Sequence, residues 1–304
     1  MKNNEGVAFV LRKALMLILV GLLSAGAAIP VMGETITIAS GNFAEPQILA
    51  ETVKLLIEEQ TDLEVDHVRN FSGSSLLHAA FLSGDVDMYI TYTGTQFTGV
   101  LGMEVTEGWK NRDRVEDYVQ EQFAKQFGAH WFDGFGFENT YAVAVRKTFA
   151  EEHDIKKVSD LRKLSNQMTI AMDNTFRERA GDGYDDFLDL YDMSFRRPVS
   201  MDYGMMYRAV GAGNVDAAIV YSTDGRVAAM DLVVLEDDLG FFPPYDAALV
   251  VSHDLLARYS GIKEIGESLA GKIDVETMQR YNKLLEVDYE DLRDVALKLT
   301  DEIR

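Results

Sequence analysis

Apolar positions change period repeatedly along the chain. Thr35-Ile-Thr-Ile-Ala39 alternates as a half-buried strand does, and Glu45 to Glu59 then places Ile48, Leu49, Val53, Leu56 and Ile57 at helical spacing. Leu63 to Val68 returns to a strand pattern. Ser74 to Ser83 reads as a helix with Leu77, Ala80 and Phe81 inward and Gly84 just past its end, and Val86 to Tyr92 reads as a strand. Alternation of this kind predicts an α/β protein with mainly parallel sheets flanked by helices. The last stretch, Ile262 to Arg304, is predicted helical, with Leu292, Val295 and Leu299 on one apolar face and Asp288, Glu290 and Asp291 where a helix N-terminus favours acids.

Two internal echoes divide the chain. Residues 84–93, Gly-Asp-Val-Asp-Met-Tyr-Ile-Thr-Tyr-Thr, are matched by residues 213–222, Gly-Asn-Val-Asp-Ala-Ala-Ile-Val-Tyr-Ser. Each follows an amphipathic helix and runs through a glycine cap and a strand to a Tyr and a small hydroxyl residue. A separation of 129 residues is too long for a solenoid repeat and predicts equivalent elements of two lobes. Ligands of open α/β sheets gather beyond the carboxyl ends of the strands, so Tyr92 and Tyr221 are predicted to face a cleft between the lobes. A second pair agrees. Tyr141 and Tyr245 each precede a small or aliphatic strand, and each follows a stretch rich in glycine and aromatics, Gly134-Phe-Gly-Phe137 and Gly240-Phe-Phe242. Taking those stretches as the crossings assigns 34–137 with 241–304 to one lobe and 138–240 to the other.

The first 33 residues differ in kind. Lys2, Arg12 and Lys13 precede the apolar run 14–23, and small residues follow up to Gly33. This is the layout of a secretory signal peptide, with Ala25-x-Ala27 and Val31-x-Gly33 as alternative cleavage sites. An uncleaved membrane anchor is the minority alternative. Export, in a bacterium, points to the periplasm.

Composition narrows the chemistry. The chain of 304 residues has no Cys, which excludes disulfide scaffolds, cysteine nucleophiles and thiolate metal sites. The net charge of −21 argues against nucleic acid and against anionic lipid, both of which need a Lys/Arg footprint. Removing residues 1–33 takes out three positive side chains and one negative, leaving −23. The five His (67, 78, 130, 153, 253) have no metal-ligand spacing, and neither a Gly-x-Ser-x-Gly elbow nor a Walker loop is present. No cofactor or metal is expected. Asp87, Asp216 and Asp224 are the acids that an exported hydrolase or lyase would use, but Asp87 and Asp216 follow glycine caps and read better as turn or cap residues. Asp224 and Arg226 are placed to pair or to brace the Tyr221 loop. Trp131, Phe132, Phe135 and Phe137 read as a core run leading into the first crossing.

Across nearly the whole mature chain, segments in a common order carry a family resemblance. They include Asn42-Phe-Ala-Glu45, Ser72-Gly-Ser74, Tyr92-Thr-Gly-Thr95, Asn139 to Val145, Tyr221-Ser-Thr-Asp-Gly-Arg226, Leu232 to Asp238 and Phe241-Phe-Pro-Pro-Tyr245. In these the chain resembles the substrate-binding proteins of ABC transporters that import quaternary ammonium solutes such as glycine betaine, choline and carnitine. The resemblance implies a two-lobed periplasmic binding protein fold of type II. It also implies a monomer that holds a small quaternary ammonium ligand in a tyrosine cage and delivers it to permease subunits. By motif the cage is Tyr92, Tyr141, Tyr221 and Tyr245, the tyrosines that the internal echoes already place at the cleft. A trimethylammonium head has charge but no N–H, and aromatic faces attract it at roughly 0.5–2 kcal/mol per ring. Micromolar binding needs about 8 kcal/mol, so further contacts and lobe closure must contribute. The resemblance supplies them as Arg179 and Thr95 on a ligand carboxylate, with Ser74 and Asn42 nearby. At the family's Lys position this chain has Gly41, and at its alternative Gln position Pro46 followed by Gln47. A ligand-reporting sensor component is the other alternative function.

Overall fold

Ten strands carry the fold of the computed structural model, which describes residues 34–104, 106–178, 183–202 and 204–304. They are β1 (Thr35–Gly41), β2 (Glu64–Phe71), β3 (Met88–Tyr92), β4 (Ala129–Trp131), β5 (Tyr141–Arg146), β6 (Thr169–Met172), β7 (Arg197–Ser200), β8 (Ala217–Tyr221), β9 (Leu232–Val234) and β10 (Ala247–Ser252). The expected export signal, 1–33, lies outside the described residues. The strands form two five-stranded sheets, ordered β2-β1-β3-β10-β4 and β7-β6-β8-β5-β9. Position by position the two orders match, so the molecule is two copies of one α/β plan.

Direction refines the expectation of mainly parallel sheets. Pairs β1–β2, β1–β3, β6–β7 and β6–β8 are parallel, while β10 runs antiparallel to β3 and β4, and β5 antiparallel to β8 and β9. Each sheet thus holds four strands of one direction and a single reversed strand. The reversed strand is the one that follows a passage from the other sheet. It enters at the end where its neighbours leave, so Tyr141 pairs with Tyr221 and Ala247 with Tyr92.

Each sheet buries both faces, as near-continuous apolar strands require. On the first sheet Ile36 and Ile38 pack with Ile48, Leu49 and Val53 of the helix Ala44–Gln60 and with Val295 and Leu299 near the C-terminus. Ala39, Tyr89 and Val250 face Leu77, Phe81, Val119 and Phe123 on the other side. On the second, Val143, Ile170 and Ile219 meet Phe187 and Tyr191, while Ala144 and Val220 meet Met206 and Val210. Each fully buried Val, Leu, Ile, Phe or Met among these contributes roughly 1.5–3 kcal/mol of apolar transfer.

The repeated Gly-x-Val-Asp is a structural device. Gly84 and Gly213 both take positive φ (81° and 76°) at the ends of Ser74–Ser83 and Met205–Gly211, where a side chain would be strained. The following Asp then reaches the adjacent parallel strand: Thr37 N donates to Asp87 Oδ2 and Thr169 N to Asp216 Oδ2, both at 2.8 Å. These acids tie strand starts together at the end of the sheet away from the tyrosines. The predicted helical stretch at 262–304 resolves into three helices, Ser260–Ser268, Val275–Glu286 and Leu292–Ile303. Asp274 and Asp291 cap the second and third through Thr277 N and Arg293 N, which is why the chain restarts there.

The two passages between sheets lie side by side. Asn139 N donates to Tyr245 O at 3.0 Å, Ala247 N to Phe137 O at 3.3 Å, and Glu138 and Asp246 form an antiparallel bridge. Trp131, Phe132, Phe135 and Phe137 are all buried in the segment leading into this ribbon.

Candidate functional site

The strand ends described above converge on one cavity of about 550 Å³. Tyr92 closes β3, Tyr245 stands two residues before β10, Tyr141 opens β5 and Tyr221 closes β8, and all four line the cavity. Thr95, Ser74 and Asn42 line it too. Arg179 lies outside the described residues. Gly41 and Pro46 form part of the wall, whereas Gln47 turns to the Gly41 carbonyl and to Asn70 Oδ1 instead of into the cavity.

Each pair of rings is held differently. Tyr141 and Tyr221 lie against one another, with centroids 4.9 Å apart and hydroxyls 3.3 Å apart. Phe176 and Phe242 back Tyr141 at 5.2 and 6.2 Å. In the first lobe Phe43 stacks on Tyr92 at 6.2 Å and adds a fifth ring to the cavity wall. Tyr245 lies over Gly94: a Cβ built there would fall 2.7 Å from Pro244 O and 2.8 Å from the Tyr245 ring. The glycine of Tyr92-Thr-Gly-Thr95 therefore makes room for the second tyrosine.

Behind Tyr92 sits a buried carboxylate. Glu45 follows β1 in the first turn of Ala44–Gln60 and is 1% exposed. Its Oε1 accepts from the Tyr92 hydroxyl at 2.7 Å and from Asn139 Nδ2 at 2.9 Å, and its Oε2 accepts from Asn282 Nδ2 at 3.0 Å. Burial pushes the Glu45 carboxyl above its ordinary range, against the pull of donors from Thr223, Tyr92, Asn282 and Asn139. Asn282 also donates to Thr223 O at 2.9 Å, which links the helix Val275–Glu286 to the Tyr221 loop. Next to it, Arg226 grips Asp224 through Nε and Nη2 (2.8 and 2.7 Å) and reaches Glu286 Oε2 at 3.0 Å. Asp224 is thus committed to Arg226, as its position two residues before the arginine suggested.

Burial, then the charge of Glu45, holds the Tyr92 phenol well above its ordinary pKa. Burial, then Tyr141 and Asp173, does the same for Tyr221. Both rings stay neutral at physiological pH and present unionised π faces to the cavity. The wall between them is mainly aromatic and apolar with a few hydroxyls and amides and the carboxylate of Asp173, a surface suited to a cation whose charge is covered by methyl groups.

Glu45, Asn139, Asp173, Phe43 and Gly94 carry roles here that no sequence signal assigns to them. Four of them fall inside motifs quoted above. Asp173, directly after β6, carries no local signal.

Comparison with known proteins agrees with this architecture. The family model described as the substrate binding domain of ABC-type glycine betaine transport systems matches residues 34–302. A carnitine transport binding protein of Listeria monocytogenes is 39% identical over 250 residues, covering 82% of this chain and 80% of the relative. A glycine-betaine-binding protein of Pseudomonas aeruginosa is 32% identical over 297 residues, covering 93% and 92%. Among solved structures, a glycine betaine/carnitine/choline ABC transporter protein superimposes with a TM-score of 0.82 at 34% identity, over 88% of this chain and 97% of that one. With matching sheets, a cavity at the facing strand ends and a family match over residues 34–302, the chain belongs to the family of substrate-binding domains of ABC-type glycine betaine transport systems.

Proposed function

We propose that this protein captures a quaternary ammonium solute of the glycine betaine, carnitine or choline type between its lobes and delivers it to an ABC permease. The observation that carries this reading is the convergence of Tyr92, Tyr141, Tyr221 and Tyr245 from two sheets on one cavity. In this reading the four rings hold the cationic head. Thr95, Ser74 and Asn42 serve the remainder of the ligand, together with Arg179 for a ligand that carries a carboxylate. Gly41 and Pro46 leave one corner without a charged group, which suits a hydroxyl or a longer tail as well as a carboxylate. The lobes are residues 34–137 with 241–304, and 138–240, joined by the paired segments around Phe137 and Tyr245. The protein is exported as a monomer by the signal over residues 1–33 and acts in the periplasm without catalysing a reaction. Asp87 and Asp216, the acids an enzyme would draw on, are engaged with strand backbone at the far end of each sheet.

Titration calorimetry with glycine betaine, carnitine and choline tests this. Saturable one-site binding of at least one, in about the micromolar range, is expected. Absence of binding by all three, or equal affinity in Tyr92→Ala, would refute it.

A further inference from the structure

The equivalence of the two sheets extends to the acids behind the rings. β1 and β6 hold the same place in their sheets, each between two parallel neighbours, and each is followed by a carboxylate that meets a strand-end tyrosine. Glu45 accepts from Tyr92 Oη at 2.7 Å, and Asp173 Oδ2 lies 3.5 Å from Tyr221 Oη, the long limit of such a bond. The echoes that locate the tyrosines therefore locate a carboxylate in each lobe.

We propose that Glu45 and Asp173 are the charge-selecting residues of this cavity, each bracing one tyrosine and placing negative charge behind its ring, so that a cationic head is taken over a neutral group of the same shape. This rests on the quaternary ammonium reading and adds to it which residues impose the preference for charge.

Burial favours the neutral carboxyl of Glu45, and the donors around it work against that in favour of the anion. The Tyr92 hydroxyl and the amides of Asn139 and Asn282 all present donors to it, and an ionised carboxylate is purely an acceptor. Both asparagines turn their amino groups to Glu45 while their own amide oxygens find no partner among the described residues. Asp173 is held from the other side, where its Oδ1 accepts the Phe176 N–H at 2.6 Å, leaving Oδ2 towards Tyr221 and the cavity it lines. A phenol donating to a carboxylate is polarised, which enriches the negative face of its ring. In a site with little water, the charges also act on the ligand over several ångströms. A neutral ligand of equal size feels the same walls but neither of these effects.

Choline and its neutral carbon isostere 3,3-dimethylbutan-1-ol separate charge from shape. Calorimetry and competition against wild type, Glu45→Gln and Asp173→Asn are the measurements. Wild type is expected to prefer choline. Glu45→Gln should weaken choline about tenfold and the more exposed Asp173→Asn about threefold, with the alcohol changed by less than about twofold, so that the preference narrows. Equal weakening of both ligands would make the carboxylates structural braces and overturn the inference, as would an unchanged preference in Asp173→Asn. That second variant carries the test if Glu45→Gln unfolds, because Asp173 is only half-buried. Failure of wild type to bind choline, betaine or carnitine overturns the ligand class itself; loss of the inference alone leaves wild-type binding intact.

Discussion

The two lobes place Tyr92 and Tyr221 at the same strand position, and Tyr245 and Tyr141 within two residues of one, but support them in opposite ways. In the first, Tyr92 is pinned through its hydroxyl to the buried Glu45, and Tyr245 is seated on the bare backbone of Gly94. In the second, Tyr141 and Tyr221 support each other and lean on Phe176 and Phe242, and the nearby Asp173 is partly open to the cavity. Topology dictates where the rings stand, because strand ends must face the cleft whichever side chains they carry. What fixes each ring in place is a local solution, polar on one side and aromatic on the other. In the first lobe the Tyr92 ring depends on a hydrogen bond to a buried acid. The second is a stack whose failure is a loss of packing.

Several substitutions break or sharpen this contrast. The largest effect is expected from Tyr92→Ala, which removes a ring and strands Glu45. Affinity for a quaternary ammonium ligand should fall about thirtyfold or more by calorimetry, the upper end of one cation–π contact plus lost order. Next, Gly94→Ala should weaken binding about tenfold without removing any polar side chain. The new methyl meets Pro244 O and the Tyr245 ring, and the ring must shift away from its position on the cavity wall. The hydroxyls then separate the lobes. Tyr92→Phe should lower unfolding stability by about 1–3 kcal/mol, because a buried carboxylate loses a donor, while Tyr221→Phe should cost less than about 1 kcal/mol beside the half-exposed Asp173. Denaturant melts of the two variants read this difference directly.

A separate prediction concerns pH, beside the Tyr221 loop. Burial, with the neighbouring charge of Asp224, raises the Glu286 carboxyl to about 8 despite Arg226. Asp224 already holds that guanidinium through two bonds, so Glu286 is a second acid on one cation. The folded state binds this proton more tightly than the unfolded chain does. The stability that the proton confers is therefore complete below about pH 4.5 and is lost as pH rises through about 8. The melting temperature should fall across that window, by roughly 2–4 °C for each kcal/mol of stability lost, and Glu286→Gln should flatten the fall.

Much of this was legible in the chain itself. The Gly-x-Val-Asp and Tyr echoes exposed the two-lobe plan, because the same helix cap and strand start had to be built twice. The cavity tyrosines followed from that plan and the family motifs. What was not legible is what depends on distance. The partners of Glu45 lie 47, 94 and 237 residues away, and no local period announces such a meeting. Gly94 stood inside a quoted motif, yet its role is defined by Tyr245, which reaches it from beyond a whole lobe. Gln47 looked available to the ligand corner, but helix geometry from Ala44 onward directs it to Gly41 O and Asn70. The helical character of 262–304 was legible, whereas its division into three helices lies in Asp274 and Asp291, which act as N-caps.

The central claim is that the four tyrosines hold the ligand's cationic head between the lobes. A crystal structure of the protein with glycine betaine, carnitine or choline, whichever binds in solution, tests it most directly. The account predicts the quaternary nitrogen within about 6 Å of the ring centroids of Tyr92, Tyr141, Tyr221 and Tyr245. A ligand bound elsewhere, or bound in this cavity with its nitrogen turned away from the rings, would contradict it.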